Sequence, residues 1–263
     1  MNTNGRWADL APRFISAIVM LVLGSFTVFT GGLLFDVLIA LCCGVLIWEL
    51  VRMLAPEQRA VALQLGLLSG AATLAAALLA PIWTLPLLVA PALVGLSQVS
   101  QRRLYYFGFA LWVLIAGFGF IWLRNVLGIQ WVLWLVCVVV VTDVAGYFAG
   151  KLIGGPKFWP RVSPKKTWSG TAAGWIAAVA VGMWFARELG LGPGLVVLSF
   201  LVSIASQAGD VAESALKRKM GVKDSSALIP GHGGFFDRFD GMLGAAAMVL
   251  IFLTFWGLPS GTL

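Results

Sequence analysis

The second half of the chain carries acidic residues at spacings that allow joint work. Asp210, Glu213, Ser214 and Lys217 recur at three- and four-residue intervals, and a helix there would carry them on one face. Asp237 and Asp240 repeat the interval, and Asp143 lies in an apolar run upstream. Carboxylate oxygens without His or Cys among them suit Mg²⁺, which takes one or two carboxylates and completes its shell with substrate phosphates. The neighbouring Lys and Arg cannot be metal ligands but can neutralise phosphate oxygens. Residues 154–170 read GGPKFWPRVSPKKTWSG, in which Ser163, Lys165, Lys166 and Thr167 offer two hydroxyls and two ammonium groups. A helix beginning just after them would add open backbone amides, a natural anion site. No GxxxxGK[ST] loop is present, nor any Ser-His-Asp or Cys-His nucleophile arrangement. The local chemistry is therefore polyphosphate with Mg²⁺, and direct displacement at phosphorus. His232, the only histidine, stands between Pro230-Gly231 and Gly233-Gly234, where glycines let backbone approach a ligand closely. That setting is compatible with a structural or a catalytic role.

These groups must be positioned by a chain that is 60% hydrophobic and only 11% charged over its 263 residues. Soluble domains carry roughly 25% charged residues. The composition excludes a soluble enzyme and also a disordered protein, which requires low hydrophobicity. Crossing a bilayer takes about 20 apolar residues, and nine runs qualify: 14–30, 33–55, 60–80, 82–96, 104–123, 126–149, 170–186, 195–212 and 242–258. The fourth is short and contains Pro86 and Pro91. None alternates as a membrane β-strand would, so the expected fold is an all-α polytopic bundle of about nine spans. The three cysteines, Cys42, Cys43 and Cys137, lie in apolar runs without metal-ligand spacing and read as packing residues.

Basic residues alternate from loop to loop. Of 18 Lys and Arg, 16 fall before the first run or in and around the loops between runs two and three, four and five, six and seven, or eight and nine, Arg52 lying just inside the end of run two. Only Arg124 and Arg187 fall on the other side. By the positive-inside rule the amino terminus is expected in the cytoplasm and the carboxyl terminus outside. The net charge of +7 is then mostly a matter of orientation, and nucleic acid is not an expected partner. No A-x-A-like site follows the first run, which reads as an uncleaved helix.

Depth brings the acidic residues together. At a rise of 1.5 Å per residue, Asp143 lies ~25 Å and Asp210 ~22 Å from the outer ends of their runs, both near the cytoplasmic face. Asp237 and Asp240 precede the last run at the same level. An intramembrane carboxylate is costly and by default functional. Asp36, Glu49, Arg187 and Glu188 are read instead as charges that seat helix ends, so removal of the Glu49 charge is expected to matter little to chemistry. The chain divides into spans one to five, residues 1–124, and a catalytic region, residues 125–263, with cytoplasmic loops at 151–169 and 217–240.

The segment 214–240, SALKRKMGVKDSSALIPGHGGFFDRFD, resembles the signature of the phosphatidate cytidylyltransferases, or CDP-diacylglycerol synthases. The Ser214-x-Leu216-Lys217-Arg218 start, Lys223-Asp224, Pro230, His232-Gly233-Gly234 and Asp237-Arg238-x-Asp240 stand at the signature's intervals. The SPKKT loop, Asp143 with Tyr147, and Gly209-Asp210 are also similar to the family's pattern. The first five spans match only in hydrophobicity, and Ser169 stands where many relatives have Glu.

The resemblance implies a membrane enzyme of phospholipid biosynthesis that condenses CTP with phosphatidate to give CDP-diacylglycerol and pyrophosphate. It implies metal on Asp210, Asp237 and Asp240. Lys217, Arg218, Lys223, Asp224, His232 and Arg238 would be catalytic, and Asp143, Ser163, Lys165, Lys166, Thr167, Ser214, Gly233 and Gly234 would bind substrate. Mg²⁺ is the expected cofactor, with a second cation as a two-metal clamp. A homodimer and a bacterial inner-membrane location are also implied. The competing readings are a CTP-dependent lipid kinase, a cytidylyltransferase for another lipid phosphate, and a secondary transporter. Against the transporter, the polar groups gather at one face and not at the midplane.

Overall fold

The computed structural model describes residues 10–229, 231 and 233–258, the side chains of 10–13 excepted. Expectations for Pro230 and His232 lie outside the described residues. Among the described residues nine α-helices follow in chain order: α1 Leu10–Thr30, α2 Gly32–Leu54, α3 Arg59–Leu78, α4 Thr84–Gln98, α5 Arg103–Trp122, α6 Ile129–Leu152, α7 Trp168–Glu188, α8 Gly194–Met220 and α9 Phe236–Trp256. A 3₁₀ turn, Pro81–Trp83, leads into α4, and a π turn, Leu123–Leu127, extends α5. Eight segments are long and apolar enough to cross a membrane; α4 qualifies because its 3₁₀ turn lengthens it to Pro81–Gln98. The described apolar stretch of α1, Phe14–Thr30, is at the short end of the spanning range.

Leu21, Leu41, Leu67, Ile176 and Phe255 are exposed, as expected where lipid is the solvent. The buried interior is built on Ile47, Leu50, Tyr106, Leu114, Trp134 and Phe236. Without a hydrophobic drive between spans, close packing and interhelical hydrogen bonds hold them. Gly44 of α2 meets Gly66 and Gly70 of α3 backbone to backbone. Between α6 and α8, Trp134 Nε1 donates to Ser199 Oγ at 2.9 Å and Thr142 Oγ1 to Ser203 Oγ at 2.9 Å. Between α7 and α8, Trp175 Nε1 donates to Gln207 Oε1 at 3.0 Å.

Two boundaries differ from the hydropathy reading and both serve the site. Helix α8 runs on to Met220 before Gly221, at φ 73°, closes it in a Schellman turn with Val222 N–H donating to Lys217 C=O. Helix α9 starts at Phe236, so Asp237 and Asp240 lie in its first turns. The stretch 151–169 is not wholly irregular: β1 Lys157–Trp159 and β2 Ser163–Thr167 form an antiparallel hairpin. Strands of three and five residues, the first between Pro156 and Pro160 and the second containing Pro164, leave no periodicity to read.

Candidate active site

Thr167 ends β2 and caps α7, its Oγ1 accepting from Gly170 N at 3.2 Å. A basic strand thus feeds a helix amino terminus, the local structure expected here. A cavity of about 370 Å³ opens here, lined by Asp143 and Tyr147 of α6, Lys165 and Lys166 of β2, and Gln207 and Asp210 of α8. Lys166 Nζ is 2.5 Å from Asp210 Oδ2, and Ser214 Oγ donates to Asp210 Oδ1 at 3.3 Å.

Glycines bring α9 against this wall. A Cβ on Gly209 would strike the Asp240 carbonyl, and one on Gly244 the Ala205 carbonyl. Helices α8 and α9 therefore touch through backbone, and Asp210 and Asp240 become neighbours. Asp143, Asp210 and Asp240 lie within electrostatic reach of one another. Asp240 Oδ1 accepts from Gly241 N at 2.8 Å.

Asp237, also expected to hold metal, is met here by protein donors. Its Oδ1 is 2.5 Å from Lys217 Nζ, and its Oδ2 accepts from Ser225 N, Ser225 Oγ and Gly234 N at 2.9, 3.1 and 2.8 Å. Oδ2 is thus held by the turn that precedes α9, and Oδ1 by Lys217 of α8. Lys217, expected to face phosphate, also contacts Glu213 Oε2 at 2.5 Å, so its charge is neutralised inside the bundle. Lys165 lines the cavity, Arg218, Lys223, Asp224 and Arg238 are exposed, and Ser163 begins β2 opposite Trp159. Gly233, at φ 82°, pairs with Ile229 across the turn. Gly234 has no room for a Cβ beside Ser225 and Glu49. These two glycines shape the turn.

Among the described residues, no three acidic, His or Cys side chains already surround a common point. The donor set nonetheless fits Mg²⁺ held by one or two carboxylates with substrate phosphates and water completing the shell. Asp210 and Asp240, flanked by Asp143, are the carboxylates not consumed by the turn.

Sequence spacing missed Gln207 and Glu49. Gln207 is a polar residue inside a span, three positions before Asp210, and that interval is its signal. Glu49 of α2 is fully buried and accepts from Ser225 Oγ, Ser226 Oγ, Phe235 N and Phe236 N. It and Asp36, which accepts from Asn125 Nδ2 at 2.9 Å, were expected to pair with charges; polar donors meet them instead.

Residues 11–256 match the model of the cytidylyltransferase family. The phosphatidate cytidylyltransferase of Brucella suis is 50% identical over 127 residues, 48% of this chain and 47% of that protein. That of Helicobacter pylori is 38% identical over 173 residues, 63% of this chain and 65% of that protein. That of Bacillus subtilis is 31% identical over 256 residues, 89% of this chain and 94% of that protein. The matched part thus spans about half of the Brucella relative and nearly all of the Bacillus one. With the family pattern running from α1 to the end of α9, the chain belongs to the cytidylyltransferase family.

Proposed function

We propose that this protein is a phosphatidate cytidylyltransferase, transferring CMP from CTP to phosphatidate in the bacterial inner membrane, with its site at the cytoplasmic face. The observation that carries the reading is the cavity that sets Lys165, Lys166 and the amino terminus of α7 opposite Asp143 and Asp210. An apolar bundle has little use for such a basic-acidic opening except to hold a polyanion with its cation. The relatives named for this activity, and the signature at 214–240, select the substrates.

Lys165, Lys166, Arg218 and Lys223 receive the triphosphate, and the α7 amino terminus supplies further positive potential. Phosphatidate reaches the opening from the inner leaflet with its acyl chains still in lipid. Its phosphate oxygen forms the new bond to the α-phosphorus of CTP. The bond from that phosphorus to the bridging oxygen breaks, and pyrophosphate departs with the electron pair toward the basic hairpin. A phosphate monoester is already largely ionised at neutral pH, so the residues contribute positioning and charge neutralisation and no general base is required. Asp210 and Asp240 are the proposed holders of Mg²⁺, which would offset the repulsion between the two anionic substrates. The catalytic region is residues 125–263, and a homodimer implied by the resemblance belongs to the same reading.

The test is purified protein in detergent with phosphatidate and CTP labelled either in cytosine or in the γ-phosphate. Cytosine label should enter lipid, pyrophosphate should appear, and EDTA or Asp240→Asn should abolish both while the protein stays folded. Transfer of γ-label to lipid would establish a kinase instead. Wild-type turnover by the Asp240 variant would sink the metal assignment.

A further inference from the structure

The turn that carries Gly233, Gly234 and Asp237 is fastened to a residue from the opposite end of the sequence. Glu49 lies in the penultimate turn of α2 and has 0% of its surface exposed. Each of its oxygens takes two donors: Oε1 accepts from Phe235 N at 2.8 Å and from Ser226 Oγ, and Oε2 from Phe236 N at 2.7 Å and Ser225 Oγ at 3.2 Å. A buried carboxylate is tolerated when its charge is met in this way. Near the carboxyl end of its own helix it is badly placed, but it faces the amino terminus of α9, where negative charge is favoured. Phe235, the local cap position of α9, makes no side-chain capping bond. The cap is supplied from 186 residues away.

Ser225 then extends the contact. The hydroxyl lies between Glu49 Oε2 and Asp237 Oδ2, at 3.2 and 3.1 Å, its one proton shared between the two carboxylates, and Asp237 holds Lys217. We propose that Glu49 is a positioning residue of the transfer site, tying Ser225 and Ser226 to the start of α9 at Phe235 and Phe236 and, through Ser225, fixing the Asp237–Lys217 pair next to Asp240. This runs against the expectation that its charge matters little, and it would give the first five spans a part in the chemistry. The proposal rests on the cytidylyl-transfer reading for what the site does.

In Glu49→Gln one oxygen becomes an amide nitrogen. A serine hydroxyl can turn to accept from it, but a backbone N–H of Phe235 or Phe236 cannot, and the turn loosens. The experiment compares purified wild type, Glu49→Gln, Ser225→Ala and the double variant in detergent, by CMP transfer and by amide hydrogen exchange. Expected for Glu49→Gln are a kcat lower by about tenfold or more, as for other residues that orient a site through a second group, and a KM for CTP changed by less than about twofold. Exchange should quicken across 225–236 and stay unchanged in α6 and α7. The double variant should be no slower than the worse single one, because both act through one chain of contacts. Unchanged exchange at 225–236, wild-type kcat, or additive losses would overturn the proposal. Should Glu49→Gln fail to fold, Ser225→Ala with wild-type kcat and exchange would overturn it equally. If the wild type transfers no CMP, the functional reading falls, and the exchange comparison still decides whether Glu49 holds the turn.

Discussion

Lys217 stands between two carboxylates that the bundle has largely removed from water, Glu213 with 0% and Asp237 with 6% of its side chain exposed. The ammonium is 2.5 Å from each, and its own side chain is 12% exposed. Its nearest duty is therefore to keep two buried charges compatible with the fold. Lys217→Met should remove the counter-charge from both, with only Asp237 keeping its Ser225 and Gly234 donors, and cost about 3–5 kcal/mol, the usual consequence of breaking a buried ion pair from one side. The check is thermal unfolding in detergent, where this variant should melt well below wild type. Arg218→Ala, one residue on and exposed, should melt like wild type while raising the KM for CTP. Equal melting of the two variants would return Lys217 to the phosphate-binding set.

At the scale of elements, the site depends on how closely α8 and α9 approach. The Asp240 carbonyl occupies the space where a side chain on Gly209 would begin, so the separation is set by the absence of a Cβ. Gly209→Val must push the helices apart because backbone cannot yield as a flexible side chain would. It should reduce CMP transfer by about a hundredfold, the scale of loss that a misplacement near 1 Å produces. Gly24→Val, in α1 with open space around it, should leave transfer unchanged. Equal rates in the two variants would refute the packing argument. The helices themselves were legible from apolar run length, and Asp210 with Asp240 from their level and spacing. The hairpin was not, because its strands are too short and too broken by Pro156, Pro160 and Pro164 to alternate. The bond from Glu49 to Phe235 was not either: it joins residues 186 apart, and no periodicity reports a contact made only when α2 packs beside α9. The commitment of Asp237 to the turn was hidden for a related reason, since Ser225 and Gly234 donate backbone amides that every residue type carries.

Across the whole molecule, the loops rich in Lys and Arg meet at one end of the bundle. Gln58, after α2, donates to the Gln98 carbonyl at the end of α4 at 3.0 Å. Arg102 reaches the Leu54 carbonyl, Lys219 meets Tyr105 of α5, and Lys166 meets Asp210. At the other end Arg124 donates to the Val28 and Phe29 carbonyls, closing the carboxyl end of α1. The charge alternation read from the sequence and the contacts of the fold thus divide the chain into the same two ends, each by its own physics. If the basic end faces the cytoplasm, a cysteine at Lys157 on the hairpin and one at Arg187, at the end of α7, must react from opposite sides of the membrane. The native thiols should stay silent, because Cys43 is buried and Cys42 and Cys137 are half-buried within spans. In intact cells a membrane-impermeant maleimide should label Arg187→Cys and spare Lys157→Cys, and inverted vesicles should reverse the pattern. Labelling of Lys157→Cys in intact cells would place the cavity on the outer face, away from cytoplasmic CTP, and the proposed reaction could not be its work.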